Sequence, residues 1–166
     1  KMGKDFYTKN KKHSSLKGPH AVGVPGIPAG LWALHKKYGK LHWSQLFDRP
    51  IELAHKGHHI SGENASRLKG IASELNNHGK THFLINGKPP LPGQWVRQKG
   101  LAKALKLMRN RGITPFYEGQ ISYDITNTLT KAGGVMTRKD LQDYKVRWCF
   151  YGYRACTKYS IIQRLY

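Results

Sequence analysis

Acidic residues are scarce in this 166-residue chain, where nine Asp and Glu stand against 29 Lys and Arg for a formal net charge of +20. So few carboxylates leave little material for paired acid/base chemistry. The cationic surplus draws nucleic acid, anionic lipid or acidic protein by long-range attraction, without specificity. Cysteine is nearly missing too: Cys149 and Cys156 are the only two. They are too few for a disulfide framework, and whether they bridge each other stays open. No apolar run approaches the roughly 20 residues of a membrane helix. The cationic start KMGKDFYTKNKKHS has no apolar segment behind it, as a signal peptide would. The expectation is a soluble chain whose export signal, if any, is absent or removed. Internal repeats and low-complexity tracts are missing, and the length fits one domain or a piece of a larger one.

Signatures of chemistry are equally thin. No G-x-S-x-G elbow occurs, and Cys149 and Cys156 have no designated histidine partner, so each reads as a structural or incidental thiol. Asp140 and Asp143 read as a helix cap and a solvated face, not as an acid/base pair. Among nine histidines the closest set is His55, His58 and His59, with His78 and His82 some distance away. Zinc requires three or four ligands in fixed geometry. Gly57 interrupts the helix that would align His55 with His59, so these side chains read as solvated or loop histidines and no metal is expected. The run GVPGIPAG precedes a helix, yet its prolines remove N–H donors and its glycine spacing is not a dinucleotide fingerprint. No cofactor is expected. For nucleic acid, Lys36, Lys37, Lys40, Lys69, Lys80, Lys99, Lys103 and Lys106 offer charge, and Trp43, Trp95 and Trp148 offer stacking surfaces. The lysines are dispersed, however, and no finger, RNP-like strand or helix-turn-helix pattern organises them.

What is present is punctuation. Residues 1–20 read as an irregular basic arm in which Asp5 to Tyr7 could add a short strand, and 21–78 as a helical segment. Within the latter, Ala21 to Val24 reads as a buried strand, Pro28 as the start of a helix, and Gly39 as its left-handed cap. Ser44 to Phe47 reads as a turn, and Pro50 restarts a helix that Gly57 ends, with Phe47, Ile51 and Ala54 on one face. Ser61 caps a third helix predicted to run to about Asn77. Residues 79–97, rich in Pro and Gly, read as an extended connection with a strand at Thr81 to Ile85 and a turn at Asn86-Gly87. From 98 to 144 the pattern is helical again. Leu101, Ala102, Leu105 and Met108 form a stripe ending at Gly112. Thr114 and Pro115 then open a run in which Tyr117, Ile121, Ile125 and Leu129 recur, closed by Gly133-Gly134. Thr137 and Asp140 have capping-box spacing, with Leu141 and Tyr144 facing inward. Residues 145–166 read as a strand, or a hairpin bending at Gly152, followed by a divergent tail.

These motifs together resemble the gamma-glutamyltranspeptidase family, in the middle of its large subunit. In AVGVPGIPAGLWALHKKYGKLHWSQLFDRPIELAHKGHHIS the family's V-P-G-x-x-x-G-L segment falls on Val24, Pro25, Gly26, Gly30 and Leu31. Tyr38 and Gly39, Trp43, Leu46, and Pro50 to Gly57 follow in the family's order. A second stretch matches at Leu101, Ala102, Leu105, Gly112, Phe116, Tyr117, Gly119 and Ile121. A third matches at Gly133, Gly134, Thr137, Asp140, Leu141, Tyr144 and Val146. The resemblance covers about residues 5 to 153.

The resemblance implies an α+β class, as the helix-rich portion of a four-layer αββα N-terminal nucleophile hydrolase fold. In this family a precursor cuts itself into two subunits. A threonine freed at the start of the small subunit then attacks the gamma-glutamyl amide of glutathione or a related donor, and the acyl-enzyme passes to water or to an acceptor amine. The implied partners are the small subunit and that donor, and the implied location is periplasmic, secreted or cell-surface. The donor-gripping arginine belongs upstream of the matching segments and the processing threonine downstream. No catalytic residue is therefore assigned, substrate-binding residues are unknown, and the chain alone is expected to be unstable or inactive. The competing expectation is a basic, non-enzymatic protein that contacts nucleic acid or an acidic partner.

Overall fold

The computed structural model describes residues 6–9 and 14–148. Cys149, Cys156 and the hairpin bend at Gly152 lie outside the described residues. Among the described residues the chain is helical, with one small sheet. Helix α1 (Phe6–Lys9) is followed by a 3-10 turn at Pro19–Ala21 and then by α2 (Ile27–Tyr38). Phe6 and Tyr7 are thus helical, not part of a strand. Residues 22–26 are irregular, because a strand at Ala21 to Val24 needs a paired neighbour and none lies beside it among the described residues. Pro28 sits within the first two positions of α2, where its missing N–H is harmless.

Gly39 ends α2 with φ −65° and ψ 131°, so it is extended and not left-handed. Glycine fits there because a Cβ would lie 2.5 Å from the His35 carbonyl oxygen. A 3-10 turn, Trp43–Phe47, leads into α3 (Asp48–Lys56), and Gly57 stops that helix with φ +105°. Phe47, Ile51 and Ala54 are all buried. Helix α6 (Lys99–Arg111) packs along α3 and the 3-10 turn, and Ala102 is buried. Two polar ties fix this register. The Trp43 indole N–H donates to the Met108 carbonyl (2.9 Å), and the Gln98 N–H donates to the Ala54 carbonyl (3.0 Å). The rings of Trp32 and Phe47 meet Trp43 edge-on at 4.7 and 4.8 Å.

Between α3 and α6 the chain makes an excursion. Strands β1 (His58–His59) and β2 (Trp95–Val96) pair antiparallel, His58 opposite Val96 and His59 opposite Trp95. Ser61 caps α4 (Gly62–Ile71) by accepting from the Asn64 N–H, as its position predicts. The helix does not reach Asn77. It tightens into 3-10 geometry at Ala72–Glu74, and Asn76 starts a separate helix, α5 (Asn77–Phe83), by accepting from the Gly79 N–H at 2.8 Å. Thr81 to Phe83 are therefore helical rather than the start of a strand. The turn at Asn86-Gly87 is present, with φ +50° and +76° between the bridged residues Ile85 and Lys88.

After Gly112 (φ +64°) the expected single helix is split into α7 (Thr114–Tyr117) and α8 (Gln120–Lys131). Ile113, not Thr114, holds the cap position of α7. The chain folds back so tightly at Gly119 that a Cβ there would lie 2.8 Å from Pro115 Cα. On α8 the residues with least exposure are Ser122 and Thr126, not the isoleucines of the predicted stripe. Both hydroxyls bond back to the chain: Ser122 donates to the Gly119 carbonyl (2.7 Å) and Thr126 to the Ser122 carbonyl (2.9 Å). That satisfies them without solvent. The capping box forms at α9 (Arg138–Gln142): the Thr137 N–H donates to Asp140 Oδ2 at 2.8 Å, and the Asp140 N–H to Thr137 Oγ1 at 3.3 Å. Leu141, on that helix, is fully buried. Residues 145–148 form no strand.

Candidate functional site

The bend before α2 is closed by a tyrosine. Tyr117 is buried on α7, and its hydroxyl donates to the Pro25 carbonyl at 2.6 Å while accepting from the Ala29 N–H at 3.2 Å. Ala29 carries one of the N–H groups that a helix start leaves without an internal partner, so the phenol occupies the place an anion would take. Burial pushes the Tyr117 pKa up, the Ala29 N–H opposes that shift, and Tyr144 adds a smaller rise. The hydroxyl is thus held protonated and acts as a donor. The Tyr144 ring stacks on Tyr117 (5.9 Å, 10°) and lies across Gly26, where any Cβ would collide with the phenol. A side chain at position 26 would have to push the Tyr144 ring off this stack. The GVPGIPAG run is therefore a joint clamped by Tyr117, which pairs the Pro25 carbonyl and the Ala29 N–H.

The excursion holds an open cleft of about 350 Å³, bordered by His58, Arg67, Leu68, His82, Phe83 and Arg97 among others. Its cationic groups are partly engaged: Arg67 pairs with Glu63 at 2.7 Å, and Arg97 Nε donates to the Lys56 carbonyl at 2.8 Å. His58 Nδ1 is buried without a hydrogen-bond partner. The lining contains no Ser, Thr, Cys, Asp or Glu, so it offers an apolar, basic surface without a nucleophile or carboxylate.

Of the histidines singled out in the sequence, His58 and His82 border this one cleft, but the set as a whole does not converge. His55 is exposed on α3 and lies across the Gly57 reversal from His58 and His59. His59 Nδ1 lies 2.7 Å from the Gly93 carbonyl. His78 and His82 do meet, Nε2 to Nε2 at 3.1 Å, because both lie on α5. Their four-residue separation was the available signal, masked by the glycines and prolines that follow. Among the described residues no group of three or more His, Cys, Asp or Glu is placed to hold a metal ion. Asp140 belongs to the capping box, and Asp143 pairs with Lys139 at 3.1 Å.

Of the proposed stacking surfaces, Trp43 and Trp95 spend their indole N–H groups on carbonyls of the chain itself. Trp148 lies beneath the Lys37 ammonium, 4.7 Å from the ring centroid, and Lys36 lies 5.1 Å from the Trp32 ring. Lys40, Lys69, Lys80, Lys99, Lys103 and Lys106 are exposed and distributed over three separate helices and a loop. Among the described residues no helix is long and apolar enough to cross a membrane. The role missed in the sequence is that of Tyr117, which shows there as an apolar position in a helical stripe and as a family-matching position, with no sign of the bond it makes.

Comparison with known proteins places this geometry. The family model described as gamma-glutamyltranspeptidase matches residues 1–163. The chain is 36% identical over 134 residues to the glutathione hydrolase proenzyme of Pseudomonas aeruginosa, which covers 81% of this chain and 24% of that protein. It is 35% identical over 145 residues to glutathione hydrolase 2 of Arabidopsis thaliana, covering 86% and 25% respectively. Among solved structures, Helicobacter pylori gamma-glutamyltranspeptidase superposes with a TM-score of 0.78 at 36% identity, over 84% of this chain and 42% of that one. Cephalosporin acylase from Bacillus halodurans superposes with a TM-score of 0.68 at 26% identity, over 80% and 27%. The chain spans about a quarter of the length of the curated relatives it matches. The alternative of a basic nucleic-acid-binding protein finds no support in these likenesses. A helix-rich portion of the N-terminal nucleophile hydrolase fold, with three motif stretches in family order, this chain belongs to the gamma-glutamyltranspeptidase family.

Proposed function

We propose that these residues are the supporting wall of a gamma-glutamyltransferase and glutathione hydrolase, and that the reacting groups are carried by other segments of that enzyme. One observation carries this reading. Ala29, Tyr117 and Leu141 come from three separate family motifs, yet they form a single buried cluster, with Val24, Phe116 and Val146 packed against it. The three motifs thus meet in one internal joint, where Tyr117 pairs both the Pro25 carbonyl and the Ala29 N–H of the bend. In this reading the attacking threonine and its terminal amine come from a small subunit, which takes the gamma-glutamyl group from glutathione or a similar donor and passes it to water or an amine. The wall's contribution is rigidity, since a displacement of about 1 Å at the chemistry costs roughly a hundredfold in rate. The same reading carries export to a periplasmic, secreted or cell-surface location.

The test is release of nitroaniline from gamma-glutamyl-p-nitroanilide by the intact protein assembled with a small subunit. Hydrolysis that requires both parts, and that is abolished when the small subunit's leading threonine becomes alanine, is expected. A folded assembly without turnover would overturn the proposal, as would turnover by these residues alone.

A further inference from the structure

The His78 and His82 side chains form a pair with a geometry of its own. Helix α5 presents residues four apart on one face, and Asn76 fixes its first turn through the bond to Gly79. Both imidazoles are exposed, and their Nε2 atoms lie 3.1 Å apart. Two nitrogens at that separation subtend about 98° at an ion placed about 2.05 Å from each, between the octahedral and tetrahedral angles. In the free protein one ring's Nε2–H donates to the other's lone pair. Moving that proton to Nδ1 of the same neutral ring leaves two Nε2 lone pairs for one ion, with no net proton released.

We propose that His78 and His82 form a bidentate site for a divalent transition-metal ion that favours imidazole nitrogen, Cu²⁺ most tightly and then Ni²⁺ and Zn²⁺, with water completing the coordination. Lys80, between them in sequence, is two positions from each and so does not share their face. The chain's cationic surplus opposes a dication at long range, but at about 0.1 M salt that repulsion fades beyond about 10 Å. The ion would act as a staple. A helix of seven residues is marginal alone, and a ligand that binds only the folded form stabilises it. The site is independent of the gamma-glutamyl chemistry, so the two proposals stand or fall separately.

Titration of the intact protein with CuCl₂ in a non-chelating buffer, followed by calorimetry and electron paramagnetic resonance, tests the site. The expected result is one tight site per chain whose copper signal carries two nitrogen ligands. His78→Ala and His82→Ala should each weaken it by roughly ten- to hundredfold or more, since even outer partners of metal ligands matter that much. His55→Ala, at an exposed position of α3, should leave it unchanged. ZnCl₂ should slow amide exchange across residues 77–83 in the parent and not in the double variant. Absence of binding, a single-nitrogen signal, or affinity indifferent to both alanine variants would overturn the proposal.

Discussion

In the helical body Phe47, Ile51, Ala54 and Ala102 are buried on facing elements, whereas in the excursion from 58 to 96 Ile60, Ala65 and Pro90 alone are buried. The body is held by apolar and aromatic contact. The excursion is held mainly by hydrogen bonds: the caps at Ser61 and Asn76, the two-residue ladder that closes its ends, and the Gln94 side chain accepting from the Leu91 N–H at 2.9 Å. Apolar burial is shared among many residues and is lost together. A cap is lost by itself. The excursion is therefore expected to open locally well below the free energy that unfolds the body.

The largest effect that would test this contrast is in the body. Leu141 is fully buried against Ala29 and Tyr117, and Leu141→Ala removes its burial and leaves a cavity. A loss of about 2–5 kcal/mol is expected, read as a lower denaturant midpoint for the whole protein. A loss under about 1 kcal/mol would show that the body collapses around the gap and is less closely packed than described.

Tyr117→Phe comes next. It keeps the ring and strips the bend of its partner, leaving the Pro25 carbonyl and the Ala29 N–H unpaired, for a cost of about 1–3 kcal/mol. The variant also has a pH signature. The folded pKa of Tyr117 lies above its ordinary value of 10.0, chiefly through burial. Its stabilising contribution is then complete below about pH 10 and falls away as pH rises through the higher folded value. Thermal melts from about pH 8 to 11 should show an alkaline decline in the parent that is shallower in the variant. Equal slopes would exclude Tyr117 as its source.

Ser61→Ala tests the other side of the comparison. Removing the cap of α4 should cost about 0.5–2 kcal/mol. Amide exchange should accelerate across residues 62–71 while α3 and α6 keep their protection. Uniform acceleration through both regions would mean that they open as one unit, and the contrast would fail.

These two regions also differ in how much of them could be read from sequence. The Gly57 stop, the Ser61 cap, the Asn86-Gly87 turn and the Thr137–Asp140 box were all legible, because each depends on residues within four positions. The ending of α4 was less so. Asn76 and Gly79 carry a cap signal, but the apolar spacing of Leu68, Ala72 and Leu75 continues through it and favours an unbroken helix. The split at Gly119 and the burial of Ser122 were hidden for a similar reason, since hydroxyls that bond back to their own helix leave no mark on hydropathy. A strand at Ala21 to Val24 could not be decided locally at all, because strands are defined by a partner. The joint at Tyr117 spans 92 positions to Pro25, so its parts were visible as motifs while the bond between them was not.

The smallest expected effect lies on the surface of the body. Glu52 accepts from Arg49 at 2.7 Å and from Lys56 at 3.0 Å along α3. The Arg49 hydrogen bond, then that from Lys56, then both positive charges hold its carboxyl below the ordinary value of 4.5. A depressed carboxylate contributes stability that is present above its unfolded pKa and lost as pH falls through the folded value. Glu52→Gln should therefore flatten the acid side of the stability profile slightly and leave the neutral region nearly unchanged. Because the partners are largely solvent-exposed, salt should shrink the difference between parent and variant. Acid melts at low and high ionic strength check this. An acid slope insensitive to salt would trace the effect to packing of the Glu52 side chain against α3, and would make this exposed cluster behave like the buried face of the same helix.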